Sequence, residues 1–150
     1  MYVIGIDLGT QSLKGLLVDS TGKIIAEASC AHDPVYPNPA WAEQVVADWI
    51  HSFKSVVHQL LAGSGVAPEE IGTIGMDAIN DSVVAVDKDG KPLMNSIIWL
   101  DRRAEAEIRE IAARISHERV FEVTGLNLDS SHTAAKMLWI KKNRPDVFAQ

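Results

Sequence analysis

The first third of the chain alternates short apolar runs with polar corners. Residues 2–6, 13–19 and 24–29 are rich in Val, Ile and Leu, and a Gly9-Thr10 corner and a Ser20-Thr21-Gly22 turn separate them, which predicts three successive strands in an antiparallel meander. Pro34, Pro37 and Pro39 remove backbone donors and fix φ, so 32–40 is expected to be an extended loop closed by Trp41. Across 42–62 the residues Val46, Trp49, Ile50, Phe53, Val56, Val57, Leu60 and Leu61 recur at helical spacing until Gly63 and Gly65 stop the run. Pro68, Glu69 and Glu70 read as one turn leading into an apolar strand over 71–76. A crossover reaches this strand, so it is expected to lie parallel to the first.

Further on, 83–86 and 96–99 flank the turn Asp87-Lys88-Asp89-Gly90 and predict another strand pair. Asp101 is placed to cap a helix running to about residue 115, with Ile108, Ile111, Ala112 and Ile115 inside. A last helix is predicted over 134–142. The expected class is α/β, with a mixed sheet that begins as three antiparallel strands, then a crossover helix and a helical tail. Pro145, Asp146, Val147 and Phe148 close the sequence without a terminal stop, and a longer parent is expected.

Composition narrows the chemistry. The 150 residues, 47% of them hydrophobic, suffice for the core of one ordinary domain. A formal charge of −6 with scattered Lys and Arg argues against nucleic acid as a partner, because phosphate-backbone binding needs concentrated positive charge. Cys30 is the sole cysteine, which rules out an intrachain disulfide and fits a reducing cytoplasm. No apolar run approaches the ~18 residues of a membrane span, and neither a membrane anchor nor a secretory signal is expected. His51, His58 and His117 lack partners at metal-ligand spacing and read as surface or packing residues.

The densest chemistry lies between the first two apolar runs. A corner containing Gly9 can present backbone N–H groups to an anion, Thr10 and Ser12 add hydroxyls, and Lys14 adds a mobile positive charge. Asp7 is placed to hold Mg²⁺ through water, since magnesium keeps most of its hydration shell. On these residues alone, a plain hairpin turn stabilised by Asp7 and Thr10 is an equal reading.

Taken together, four landmarks resemble the FGGY family of carbohydrate kinases, part of the wider group built like hexokinase, actin and the heat-shock ATPase chaperones. Asp7-Leu8-Gly9-Thr10-Gln11-Ser12-Leu13-Lys14 looks like the family's first phosphate motif. Trp41-Ala42-Glu43-Gln44 looks like its second landmark, Trp99-Leu100-Asp101-Arg102-Arg103 like its third, and Thr124-Gly125 followed by Lys136, Leu138 and Trp139 like its fourth. The resemblance spans nearly the whole chain.

It implies a ribonuclease-H-like domain, most of the first of two, in an enzyme that phosphorylates a sugar, ketose or polyol with ATP and Mg²⁺. The second domain would lie outside these residues, as would the Asp that deprotonates the acceptor, and the chain by itself is expected to be inactive. By the family's pattern Asp7, Gly9, Thr10, Gln11, Ser12 and Lys14 face the ATP phosphates and the metal. Asn80 and Asp81 occupy the place of the acceptor-gripping pair, though Asn-Asp departs from the Met-His or Arg-Glu of relatives. Trp99, Asp101 and Ser131 complete the acceptor side, and Arg103 reads as a structural partner of a carboxylate. The competing class is a non-catalytic actin-like domain that binds nucleotide or a protein partner. The acceptor's identity and the oligomeric state, a homodimer included, stay open.

Overall fold

Alternation along the first strand settles the sheet. Ile4, Ile6 and Leu8 are buried on one face, and between them Gly5 and Asp7 turn to the other. The structure, a computed structural model, describes residues 1–150, which divide into two compact units: Met1–Pro34 with Val45–Ile79, and Val35–Gln44 with Asn80–Gln150. In chain order the elements are β1 (Tyr2–Leu8), β2 (Ser12–Asp19), β3 (Ile24–Ala31), β4 (Glu43–Gln44), α1 (Val46–Ser64), β5 (Ile71–Ala78), β6 (Ser96–Ile97), α2 (Glu105–Ala112), α3 (His117–Thr124), α4 (Thr133–Asn143) and α5 (Pro145–Phe148). None of the helices is long and apolar enough to cross a membrane.

In the first unit the sheet order is β3-β2-β1-β5, with β1–β2 and β2–β3 antiparallel and β5 parallel to β1, as the meander and the crossover predict. Leu13 and Leu17 join Ile4, Ile6 and Leu8 on the inner face, against Val56 and Leu60 of α1. Gly15 permits this packing: a Cβ there would lie 2.5 Å from Val56 Cγ1. The three strands run one or two residues beyond their predicted ends, because alternation continues through the polar residues that flank the corner. The predicted start of α1 at 42 is corrected to Val46, since Glu43 and Gln44 pair as strand β4; its end moves to Ser64, where Gly65 takes φ 70° and donates to Leu61 O.

In the second unit β4 pairs antiparallel with β6, and Val35, Val83 and Val86 add only single bridges. The strand expected over 83–86 is therefore not formed as a ladder. Ile97, Ile140 and Val147 centre its core, packed by Val83, Leu93, Met94 and Trp139. Asp101 does not cap α2. That helix begins at Glu105 behind Ala104, and Asp101 is fully buried, accepting from Ala42 N at 2.6 Å and from Arg103 Nε at 2.9 Å. Arg103 also binds Glu43 Oε1 at 2.7 Å, and its guanidinium stacks 3.9 Å from the Trp41 ring centroid and 4.9 Å from that of Trp139. The carboxylate partnership expected of Arg103 is thus the centre of this unit's polar interior. Ile115, expected inside, is 38% exposed, because α2 stops at Ala112. Two short helices went unpredicted: α3, capped by the Ser116 side chain on Arg119 N and ended at Gly125, and α5, opened by Pro145.

Candidate functional site

Parallel pairing of β1 and β5 sets Asp7 beside Asp77, while antiparallel pairing with β2 sets it opposite Lys14. All three side chains are exposed, on the sheet face turned from α1. Two glycines partnered in register, Gly5 and Gly75, floor this face, and a Cβ on either would meet nothing within 4 Å. The result is an open trough of about 600 Å³ lined by Gly5, Asp7, Lys14, Gly75 and Asp77. Asp77 escaped the sequence reading, yet a signal was present: Ile4-Gly5-Ile6-Asp7 is echoed by Ile74-Gly75-Met76-Asp77.

Above the trough the β1–β2 corner is a tight hairpin in which Gly9 N–H donates to Ser12 O at 3.0 Å, and Ile79 N–H fixes Leu8 O at 2.9 Å. Gly9 is not among the residues with positive φ. The need for glycine here is steric, because a Cβ would stand 3.1 Å from the Ser12 carbonyl. Gln11 is exposed, Thr10 and Ser12 are partly so, and Lys14 extends from β2 on the open face.

Oxygen donors of this kind suit Mg²⁺, a hard cation that takes one or two carboxylates and completes its shell with water and phosphate oxygens. Asp7 with Asp77 provides that pair. No group of three or more metal-ligating side chains gathers anywhere in the chain.

In the second unit the residues expected on the acceptor side lie around Asp81. Its backbone adopts φ 53°, an unusual value for a residue with a Cβ. Lys136, fully buried on α4, donates from Nζ to Asp81 O at 2.5 Å and to Ile98 O at 2.9 Å, joining the 80–81 turn to the strand end that carries Trp99. Burial pushes the Lys136 pKa down to about 8, against the pull of the Asp101 and Asp81 carboxylates. The Asp81 carboxylate can only accept, so His132 Nδ1–H donates to its Oδ2 at 2.9 Å, and both groups are about a quarter exposed. Asn80 is exposed and its Oδ1 accepts from Asp81 N at 2.9 Å. Ser131 turns to Asp129: its hydroxyl and amide hold that carboxyl below the ordinary carboxylate range, helped by Arg102. Trp99 is 44% exposed.

Asn80, Asp81, Ser131 and the Trp99 strand end therefore fall in one neighbourhood, tied together by Lys136 and His132. Asp101 does not present itself to an acceptor. Both of its oxygens are bound inside the unit, where they hold Arg103 and the Ala42 amide. His132 adjoins the candidate Ser131 in the sequence, and Lys136 appeared only as part of a landmark. The lysine's role was not readable because its two acceptors are backbone carbonyls distant in sequence.

Comparison with known proteins gives a consistent result. A family model described as the FGGY family of carbohydrate kinases, N-terminal domain, matches residues 2–150. A xylulose kinase of Lactococcus lactis subsp. lactis (strain IL1403) is 32% identical over 149 residues, covering 99% of this chain and 30% of that protein. A glycerol kinase of Corynebacterium glutamicum (strain R) is 32% identical over 143 residues, covering 95% of this chain and 28% of that one. The crystal structure of xylulose kinase from Rhodospirillum rubrum superposes with a TM-score of 0.93 at 31% identity, covering 99% of this chain and 30% of that chain. The chain thus spans about 30% of the length of the relatives it matches.

Proposed function

This chain belongs to the FGGY family of carbohydrate kinases, and from that premise we propose that it serves the ATP-dependent phosphorylation of a hydroxyl on a sugar, ketose or polyol in the cytoplasm. The donor-side groups belong to its first unit and the acceptor-side groups to its second. The observation that supports this most is the exposed Asp7–Lys14–Asp77 register beneath a glycine-cornered hairpin.

Phosphoryl transfer asks for positioning and charge neutralisation more than covalent help. The hairpin's backbone N–H groups and the Thr10 and Ser12 hydroxyls hold phosphate oxygens, with Gln11 at the rim, and the Lys14 ammonium follows the migrating charge. Asp7 and Asp77 would hold Mg²⁺. When bound, the cation neutralises the phosphate oxygens. Asp81 accepts a hydrogen bond from an acceptor hydroxyl, Asn80 both donates and accepts, and the Trp99 ring and Ser131 line the carbon skeleton. The base that takes the acceptor's proton, and a second domain that closes over the nucleotide, are assigned to protein outside these residues.

Two-dimensional amide NMR of the ¹⁵N-labelled chain tests the assignment. MgATP is expected to shift the amides of Gly9 to Ser12 and Lys14, and one of glycerol, gluconate or a pentulose those of Asn80, Asp81 and Ser131, without turnover by the chain alone. Nucleotide shifts with no response to any acceptor would favour an actin-like nucleotide switch. Turnover by the chain would overturn the placement of the base.

A further inference from the structure

His32 follows β3 and stands where a simple packing residue would serve, yet it makes three polar contacts. Its ring is buried at 6% exposure; Nε2 lies 2.9 Å from the Gly9 carbonyl oxygen, and Nδ1 lies 3.3 Å from Ser52 Oγ on the buried face of α1. Its own backbone N–H donates to Gln11 O at 3.0 Å. A carbonyl oxygen only accepts, so Nε2 carries the proton, and in the neutral ring Nδ1 accepts from the Ser52 hydroxyl. One residue therefore holds two carbonyls of the hairpin and anchors them to the helix that backs the sheet.

We propose that His32 is a positioning residue of the phosphate loop, fixing the peptide planes on which a triphosphate is received. The inference rests on the reading of the Gly9–Ser12 hairpin as a phosphate site. Its logic is that of the trans peptide, in which C=O and N–H point in opposite directions. Holding the Gly9 oxygen inward sets the direction of the Thr10 N–H outward from His32. Glycine at position 9 is required by the approach of Ser12 O, and it leaves that plane freer to rotate than any other residue would. The imidazole restores what glycine gives up.

The test titrates the chain and its His32→Phe, His32→Gln and Ser52→Ala variants with MgATP and with inorganic tripolyphosphate, following the amides of Gly9 to Ser12 and recording thermal stability in parallel. His32→Phe is expected to weaken both ligands about tenfold, the worth of one hydrogen bond. His32→Gln, whose amide can donate to Gly9 O, should recover most of that affinity whatever its melting temperature. Imidazole ¹⁵N shifts should show the proton on Nε2. Unchanged affinity in folded His32→Phe overturns the inference and leaves the phosphate reading standing. Absence of binding by the unsubstituted chain overturns the phosphate reading itself. Should His32→Phe fail to fold, Ser52→Ala decides: about threefold weaker binding is expected from a looser ring, and no change sinks the proposal.

Discussion

His132 Nδ1 lies 2.9 Å from Asp81 Oδ2, across 51 residues of sequence, and the aspartate it holds has φ 53°. A non-glycine residue in the left-handed region stays there only when its surroundings over-determine it. Here Lys136 holds the carbonyl and His132 the carboxylate. The two grips differ in depth, since Lys136 is fully buried and the imidazole is a quarter exposed.

That difference yields the first prediction. His132→Phe should lower stability by less than about 1 kcal/mol, because a solvent-screened pair is worth little. It should nevertheless weaken the acceptor-induced amide shifts at Asn80 and Asp81 several-fold, since the carboxylate loses its fixed direction. Urea unfolding and an acceptor titration on the same sample separate the two effects. A large loss of stability with unaltered acceptor response would make the pair purely structural.

The second prediction concerns the buried ion pair. Arg103 and Asp101 side chains are 1% and 0% exposed and meet at 2.8 Å. Removing one partner strands the other charge, so Asp101→Ala should cost about 3–5 kcal/mol, against near-neutral expectations for an exposed pair such as Lys88–Asp89. Glu43 and the two indole rings moderate the loss without replacing a bidentate partner. Chemical denaturation of Asp101→Ala beside Lys88→Ala checks the contrast, and equal effects would refute it.

A third prediction follows from two glycines on opposite faces of one sheet. At Gly15 a Cβ would meet Val56 Cγ1 at 2.5 Å, Leu60 Cδ1 at 3.1 Å and Ile6 Cδ1 at 3.2 Å; at Gly5 it would meet nothing within 4 Å. Gly15→Ala should therefore destabilise by about 1–3 kcal/mol through overpacking. Gly5→Ala should stabilise by roughly 0.5–1 kcal/mol, because alanine restricts the unfolded chain more than glycine does. Urea midpoints at unchanged slope measure both. A Gly15→Ala that does not destabilise would show that helix α1 does not sit over Gly15 as described, and a destabilising Gly5→Ala would show that the face at Gly5 is not open.

The parts of this molecule that were legible in its sequence are those ruled by period and local chemistry. Strands β1 to β3, helix α1 and parallel β5 follow from runs of two- and 3.6-residue period bounded by Gly and Pro. Failures occurred where a long-range partner outcompeted a local rule. Asp101 has the local context of an N-cap, but Arg103 and the Ala42 amide draw it inward. Residues 83–86 have strand composition yet find only isolated bridging partners. Helix α3 was missed although Ser116 and Gly125 mark both ends, because its eight residues make only about two turns, too few for a 3.6-residue period to repeat. At the candidate site, motif residues such as Asp7 and Lys14 were visible, whereas Asp77, His32 and His132 gain their meaning only from pairing across the fold.

The last prediction is a pH dependence carried by Lys136. Burial lowers its pKa from the ordinary 10.5 to about 8 in the folded chain. Below the folded value both states are protonated and the residue contributes no slope. Between about 8 and 10.5 the unfolded chain keeps the proton and the folded chain releases it, so the contribution of this lysine to stability rises with pH across that window. The folded state tolerates the release because a neutral amine still has two N–H donors for its two acceptors, Asp81 O and Ile98 O. Lys136→Met removes the titration together with the clamp on Asp81. The stability difference between the unsubstituted chain and Lys136→Met, followed by denaturant unfolding from neutral pH upward, should therefore widen in favour of the lysine form above about pH 8. Taking the difference cancels the titration of every other group that behaves alike in both proteins. A difference that stays flat across the window would show that the ammonium keeps its proton, held by the carbonyls and by Asp81 and Asp101 more strongly than burial opposes it.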